Sequence, residues 1–286
     1  TTTGKWNTAL GATAMYYNTT GPYNTAVGHS ALYNNTSAEY NVAVGYYSMV
    51  SNTTGANNTA CGTHSFVTNT TGTDNTAVGF HSLYSNTTAS DNTACGKQAL
   101  YSNTTGLENV AVGKTALYSC TTGRNNVCIG NAAGYAITTG SGNICIGFNN
   151  ASGTYAPANN PSTSSNKVVI GHTGIANTYV EVDWTITSDE RDKMNFAPIP
   201  HGLDFVNKLK PTAYQHKESR DSNTPNGPKR YGFKAQDILA LEDENDAVII
   251  DNTDADKLYL RTDALVPVLV QAIQQLSTQV KQLQTA

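Results

Sequence analysis

The chain has 286 residues, a formal net charge of −4 and no basic block, so the electrostatic footprint of a nucleic-acid binder is missing. No apolar run approaches the roughly 18 residues of a membrane span, so membrane insertion is not expected. Only eight of the 38 Lys, Arg, Asp and Glu residues lie in residues 1–150, and such asymmetry says that the two parts solve different physical problems.

Asn7-Thr8-Ala9-Leu10-Gly11 returns as Asn24-Thr25-Ala26-Val27-Gly28, then at Asn41, Asn58, Asn75, Asn92, Asn109, Asn126 and Asn143, always with a step of 17 residues. A fixed period sets the architecture before any local reading. Thr or Val, then Ala, then Val, Leu, Ile or Cys alternates as a strand does. The Gly column, Gly11 through Gly147, has no exception, which implies a left-handed φ or close backbone contact. A second apolar patch follows (Ala31-Leu32-Tyr33, Ala99-Leu100-Tyr101), then a polar turn such as Asn52-Thr53-Thr54-Gly55.

Each repeat is therefore expected to be two short strands and two turns, one coil of a parallel β-solenoid. Nine coils at the inter-strand spacing of roughly 4.8 Å make a rod of about 43 Å. Each coil offers a thin core of Ala, Val and Leu, stabilised through its neighbours. The Leu and Tyr columns are expected to pack between chains and give a homotrimer. Domain 1, residues 1–150, resembles the head repeats of trimeric autotransporter adhesins on residues such as Asn126-Val127-Cys128-Ile129-Gly130 and Asn143-Ile144-Cys145-Ile146-Gly147. The resemblance implies a trimeric parallel β-roll, though the repeats of that family are usually shorter.

Other features in the repeats have plain readings. Six Asn-Thr-Thr or Asn-Thr-Ser triplets match a glycosylation acceptor, but an Asn/Thr ladder between coils explains them better. Asn, Gly and Tyr interrupt any flat Thr surface that could bind ice. His29, His64 and His81 have no acidic column beside them and read as solvent-facing; no metal site and no cofactor is expected. The five cysteines are too few for a disulfide framework and read as small buried hydrophobes with free thiols.

The period breaks after Gly147. Residues 151–187 read as a stem: a loop over 151–166, one degenerate coil at Val168-Val169-Ile170-Gly171, and a strand at Tyr179–Trp184. Residues 188–286 are expected to be an α+β domain. An amphipathic helix presents Leu203, Phe205, Val206 and Leu209 and ends at Pro211. A strand covers Thr212–His216, a mobile loop Ser222–Lys229, a short helix follows Tyr231–Gln236, and Ala247–Ile250 is a buried strand. The last helix carries Val266, Leu269, Ile273, Leu276, Val280 and Leu283, an a/d seam of about two and a half heptads, read as a coiled coil.

Four blocks in order, Ser188-Asp189-Glu190-Arg191-Asp192-Lys193, Leu203 through Pro211 to Tyr214, Gly232-Phe233-Lys234-Ala235-Gln236, and Leu265-Val266-Pro267-Val268-Leu269, resemble the self-cleaving intramolecular chaperone of phage tail spikes and fibres, the endosialidase type. The resemblance implies Ser188 as nucleophile, Lys193 as its base, and a single-turnover cut at Ser188–Asp189. Serine needs a base within reach, and lysine serves only when burial or a nearby cation depresses its pKa. Arg191 could supply that cation, Asp189 stands at the cut as a supporting residue, and Asp192 opposes by stabilising a charged Lys193.

The expectation is the distal part of a phage tail fibre: a trimeric rod for host attachment, assembled in the host cytoplasm and carried on the virion. Its partners would be two further copies, other tail proteins and a host receptor, glycan included. The alternative is a bacterial trimeric surface adhesin head. The chain begins without Met and reads as a fragment or processed product. Paired carboxylates for glycan cleavage are lacking, since Glu39, Asp74, Asp91 and Glu108 are scattered through different repeats, and no activity on external substrates is expected.

Overall fold

A β-branched residue on either side of a small one makes three-residue strands whose centre points in and whose flanks point out. The computed structural model describes residues 3–147, 162–171, 190–217, 223–242, 247–254 and 257–285. The chain divides into two units, 1–175 and 176–286.

The first unit holds ten strands: β1 (Thr8–Leu10), β2 (Thr25–Val27), β3 (Val42–Val44), β4 (Thr59–Cys61), β5 (Thr76–Val78), β6 (Thr93–Cys95), β7 (Val110–Val112), β8 (Val127–Ile129), β9 (Ile144–Ile146) and β10 (Val168–Ile170). They form one parallel sheet in chain order, and each column stacks on itself, as in Thr76↔Thr93, Ala77↔Ala94 and Val78↔Cys95. The solenoid is present. The degenerate coil is real: β10 pairs with β9, Val168 beside Ile144.

Two expectations are corrected. Each coil has one strand, not two. The second apolar patch is a turn, in which Leu32, Leu83, Leu100 and Leu117 hold φ near +50°. A strand would send Ala31 and Leu32 to opposite faces, whereas both are fully buried. The left-handed residue turns two consecutive side chains inward. It costs roughly 1–2 kcal/mol per residue, which the buried Leu offsets.

For the same reason the Leu column does not pack between chains. Met15, Leu32, Met49, Phe66, Leu83, Leu100 and Leu117 fill the inside of the coil against Ala26, Ala43, Ala60, Ala77, Ala94 and Ala111. Large side chains from one wall meet small ones from the other, so a narrow coil can close around them. The eighth repeat shows the constraint: Gly134 takes the Leu position, and Ile137 enters the core from three residues on. A Cβ on Gly134 would lie 3.1 Å from Ile137 Cδ1.

Two buried asparagine columns line the corners. Asn41 N–H donates to Asn24 Oδ1 at 2.9 Å, and Asn41 Nδ2 donates to Gly55 O at 3.0 Å. In the second column Asn52 Nδ2 donates to Asn35 Oδ1 at 3.3 Å and to Gly55 O at 2.9 Å. These amides satisfy turn groups that no strand ladder reaches. The acceptor asparagines of the Asn-Thr-Thr triplets are inside. Thr53 Oγ1 donates to Thr70 O of the next coil at 2.9 Å. The predicted ladder is what the triplets encode.

The Gly column sits at φ between +123° and +141° from Gly11 to Gly130. A Cβ at Gly79 would stand 2.7 Å from the carbonyl carbon and oxygen of Gly96. Cys120, Cys128 and Cys145 are buried, as read, but Cys61 and Cys95 are exposed, because their column is a strand flank and points outward.

The second unit contains α1 (Leu203–Val206), β11 (Thr212–Lys217), β12 (Pro225–Gly232), α2 (Ala235–Leu239), β13 (Ile250–Asp254), β14 (Lys257–Leu260) and α3 (Thr262–Thr285). The helix expected before Pro211 is a single turn. The loop read at Ser222–Lys229 is largely strand: β12 pairs antiparallel with β11, His216↔Asn226 and Tyr214↔Arg230, with an irregularity between them. Gly227, at φ +79°, lies in that bulge, and its carbonyl accepts from Gln215 Nε2 at 3.0 Å. A two-stranded ribbon is all edge, where proline is tolerated. The strand read at Tyr179–Trp184 lies outside the described residues.

Candidate functional site

The second unit is built around a small core of Phe205, Ile238, Ile249, Ile250, Leu265 and Val268. One carboxylate organises its centre. Glu242, nearly buried, accepts from the backbone N–H of Val248 at 3.1 Å, Ile249 at 2.9 Å and Ile250 at 3.1 Å. An ionised acceptor shared by successive amides is a strong anchor. It holds Ile249 and Ile250 in the core. Arg261 pairs with Asp251 at 3.1 Å on the surface. Sequence reasoning missed Glu242 because it sits in an acidic run, Glu242-Asp243-Glu244, that reads as a solvated face.

Helix α3 has two working faces. One docks on its own unit through Leu265, Val268 and Ala272. Along that side Gln271 Nε2 donates to Ile199 O at 2.9 Å, and Gln275 Oε1 accepts the Leu203 N–H at 2.7 Å. Gln275 thereby holds the start of α1, and Gly202 leaves it room, since a Cβ there would come within 2.4 Å of Gln275 Oε1. These two glutamines position the domain. The other face is the a/d seam, and all six of its residues are exposed, from 42% at Leu269 to 79% at Leu283. The seam is not consumed by the chain's own core.

The residues at the domain start divide. Glu190–Asp192 form one 3-10 turn, closed by the Lys193 N–H to Glu190 O at 3.1 Å. Arg191 and Lys193 are exposed. Ser188 and Asp189 lie outside the described residues. Beyond the turn, Met194 and Phe196 stand exposed at 81% and 69%. An apolar cleft of about 580 Å³ is lined by Ile199, Pro200, Val248, Ile249, Pro267 and Val268 among others. It lacks the convergent polar groups of a substrate site.

Residues 188–246 match the family model described as chaperone of endosialidase. This stretch is an endosialidase-type chaperone domain. Comparison with curated proteins and with solved structures gave no match. The chaperone match contains the Ser188–Lys193 block, α1, the β11–β12 ribbon, α2 and Glu242, and it ends before α3. So the chaperone domain is followed in this chain by a helix with an open seam, and preceded by a β-solenoid.

Among the described residues no group of three or more His, Cys, Asp or Glu is arranged to hold a metal ion, and no helix is long and apolar enough to cross a membrane. His64 and His81 approach each other at 5.4 Å between ring centroids, inside a patch with Phe80, Tyr84 and Tyr101. Partial burial, then the charges of His64 and Lys97, lowers the pKa of His81. Farther along, Tyr84, Tyr101, Tyr118 and Tyr135 stack face to face at 5.2, 5.1 and 5.2 Å. Ring faces covered by the next ring leave only edges and hydroxyls outward, so this ladder is structural.

Proposed function

We propose that the chain is the distal part of a phage tail fibre or spike, a homotrimeric rod whose chaperone domain assembles first and sets the register of the solenoid. The observation that carries this reading is the exposed a/d seam of α3 beside a chaperone match. An apolar heptad seam open to water needs partner helices. The need for a guide follows from the repeat: slipping one coil by 17 residues keeps almost every column contact, so the energy gap against misalignment is small. A heterogeneous domain removes that degeneracy. Host attachment through a surface receptor, and a place on the virion beside other tail proteins, belong to the same reading. Nothing observed favours the adhesin head.

Self-cleavage at Ser188–Asp189 is part of the proposal. Ser188 Oγ attacks the carbonyl of the scissile bond while Lys193 takes its proton and passes it to the departing Asp189 nitrogen. Water then hydrolyses the acyl ester, with Arg191 as the supporting cation. Lys193 is exposed, and the desolvation that makes a lysine a base arises only when another surface covers it. Covering by a neighbouring copy would tie cutting to assembly.

Light scattering on the full chain tests the core of this reading. Three times the chain mass is expected. A monomer mass at micromolar concentration, with α3 folded, would refute it.

A further inference from the structure

The outward flanks of the strands form two parallel columns that the solenoid itself does not use. They are the first and last residues of β1 to β10, running from Thr8 to Val168 on one side of the buried centre and from Leu10 to Ile170 on the other. No charged residue occurs at any of the twenty positions. The face changes along its length. Thr alternates with Val or Cys from β4 to β6, whereas from β7 to β10 every flank is Val or Ile. Val112, Ile129, Ile146, Val168 and Ile170 are exposed there. The stripe runs about 43 Å at roughly 4.8 Å per strand. An apolar patch of that extent marks an interaction surface.

We propose that this face is the seam between copies of this chain, in register strand by strand, and that it closes from β10 towards β1. The inference deepens the trimeric reading above and rests on it. The occupant is argued from periodicity. A surface whose columns recur with every strand fits, along its whole length, only a partner with the same axial repeat, and another copy has that repeat by construction. Absence of charge disfavours nucleic acid or an acidic or basic protein. The aliphatic end is the one nearest in sequence to the chaperone domain, so the strongest contact forms where copies first meet. The change from Thr to Val and Ile also gives the seam a register mark: a slip of one coil sets Thr93 against Val110. The Asn and Gly columns that border the face carry no bulky side chain outward; the residues beyond them, among them Tyr40, Asp74 and Glu108 on one edge and Tyr46, Phe80 and Lys97 on the other, would rim the contact.

Native cysteines report on the seam. Cys61 and Cys95 lie on it, while Cys120, Cys128 and Cys145 are buried in the coil. The mass of the full chain is measured first; labelling by N-ethylmaleimide is then compared with the urea-unfolded chain. In the assembled protein Cys61 and Cys95 are expected to react at least about tenfold more slowly than when unfolded. Val78→Lys, on the flank between them, should restore fast labelling, and Ser102→Lys, off the seam, should not. A trimer mass with both thiols reacting at the unfolded rate overturns the seam and spares the trimer. Slow labelling that Val78→Lys fails to relieve also overturns it. A monomer mass overturns both readings.

Discussion

Asn103 Nδ2 donates to Asn86 Oδ1 at 3.0 Å, yet Asn103 Oδ1 is buried and accepts no hydrogen bond. The next residue in that column is Cys120, whose Sγ reaches only Gly123 O at 3.5 Å. One ladder of asparagines thus ends inside the protein, three coils before the other, and the column passes to Cys120 and then Ile137. Burial pushes the Cys120 thiol up to about 11, and a hydrogen bond with Cys145, then burial, raises Cys128 well beyond its ordinary range. These thiols are core, not chemistry.

The ladder gives the first prediction. Asn86 links Asn69 Oδ1, Ala89 O and Asn103 Nδ2. Asn86→Ala removes one hydrogen bond from each, while Asn69 Oδ1 keeps the Gly72 N–H, Ala89 O keeps Asn75 Nδ2 and Asn103 Nδ2 keeps Gly106 O. At roughly 1 kcal/mol for each bond lost it should cost about 3 kcal/mol. Cys120→Ala removes one weak sulfur contact and should cost about 1 kcal/mol. Denaturant unfolding of both variants reads the difference; equal effects would mean that the ladder contributes nothing.

Gly79→Ala tests the glycine column. The new methyl meets Gly96 backbone at 2.7 Å and the residue must keep φ near +127°. The left-handed strain alone is of order 1–3 kcal/mol, and the clash falls on backbone that cannot step aside. Loss of soluble protein, or a large drop in melting temperature, is expected.

Glu242→Gln replaces one of the oxygens that face three amides with a donor. The charge-assisted bonds are worth roughly 1.5–3 kcal/mol, and an amide N–H facing another amide N–H leaves one unpaired. Hydrogen exchange at Ile249 and Ile250 in the full chain should accelerate strongly, while exchange in the solenoid coils stays slow. Unchanged protection at Ile249 would show that the carboxylate is incidental.

Leu276→Asp acts on the α3 seam without touching the residues that dock α3 on its own unit. Leu276 is half exposed in the single chain, so the fold survives, but three carboxylates meet if three helices associate. Light scattering should show loss of the assembled mass. Retention of that mass would place the assembling contact elsewhere.

Self-cleavage is read by intact mass over time at neutral pH. The wild-type chain should yield two fragments parted at Ser188–Asp189, and Ser188→Ala and Lys193→Met should abolish them. Asp192→Ala, which removes the charge that favours protonated lysine, should speed the cut. Persistence of fragments in Ser188→Ala would exclude this serine as nucleophile.

Part of the site was legible and part was not. The first three blocks, which lie within residues 188–246, were enough for the chaperone match, because their order and spacing survive without knowledge of packing; the fourth lies beyond it. Glu242 and Gln275 were not legible, since a carboxylate in an acidic run and a glutamine on a polar helix face look solvated until the partner amides at Val248–Ile250 and Leu203 are in place. Pro225 and Pro228 argued for a loop, and only pairing with β11 made a strand of them.

The 17-residue step by itself determined the parallel stacking of coils, the self-stacking columns and the need for glycine between them, because a constant step forces equivalent atoms to superpose along one axis. Which apolar column lies inside was decided only by the tertiary structure. The sign of φ at Leu32 and its equivalents turns two neighbouring side chains the same way, and a pattern of residue types carries no sign of φ. That one backbone choice moved the leucines inward and left Val112, Ile129 and Ile146 to face water or another copy.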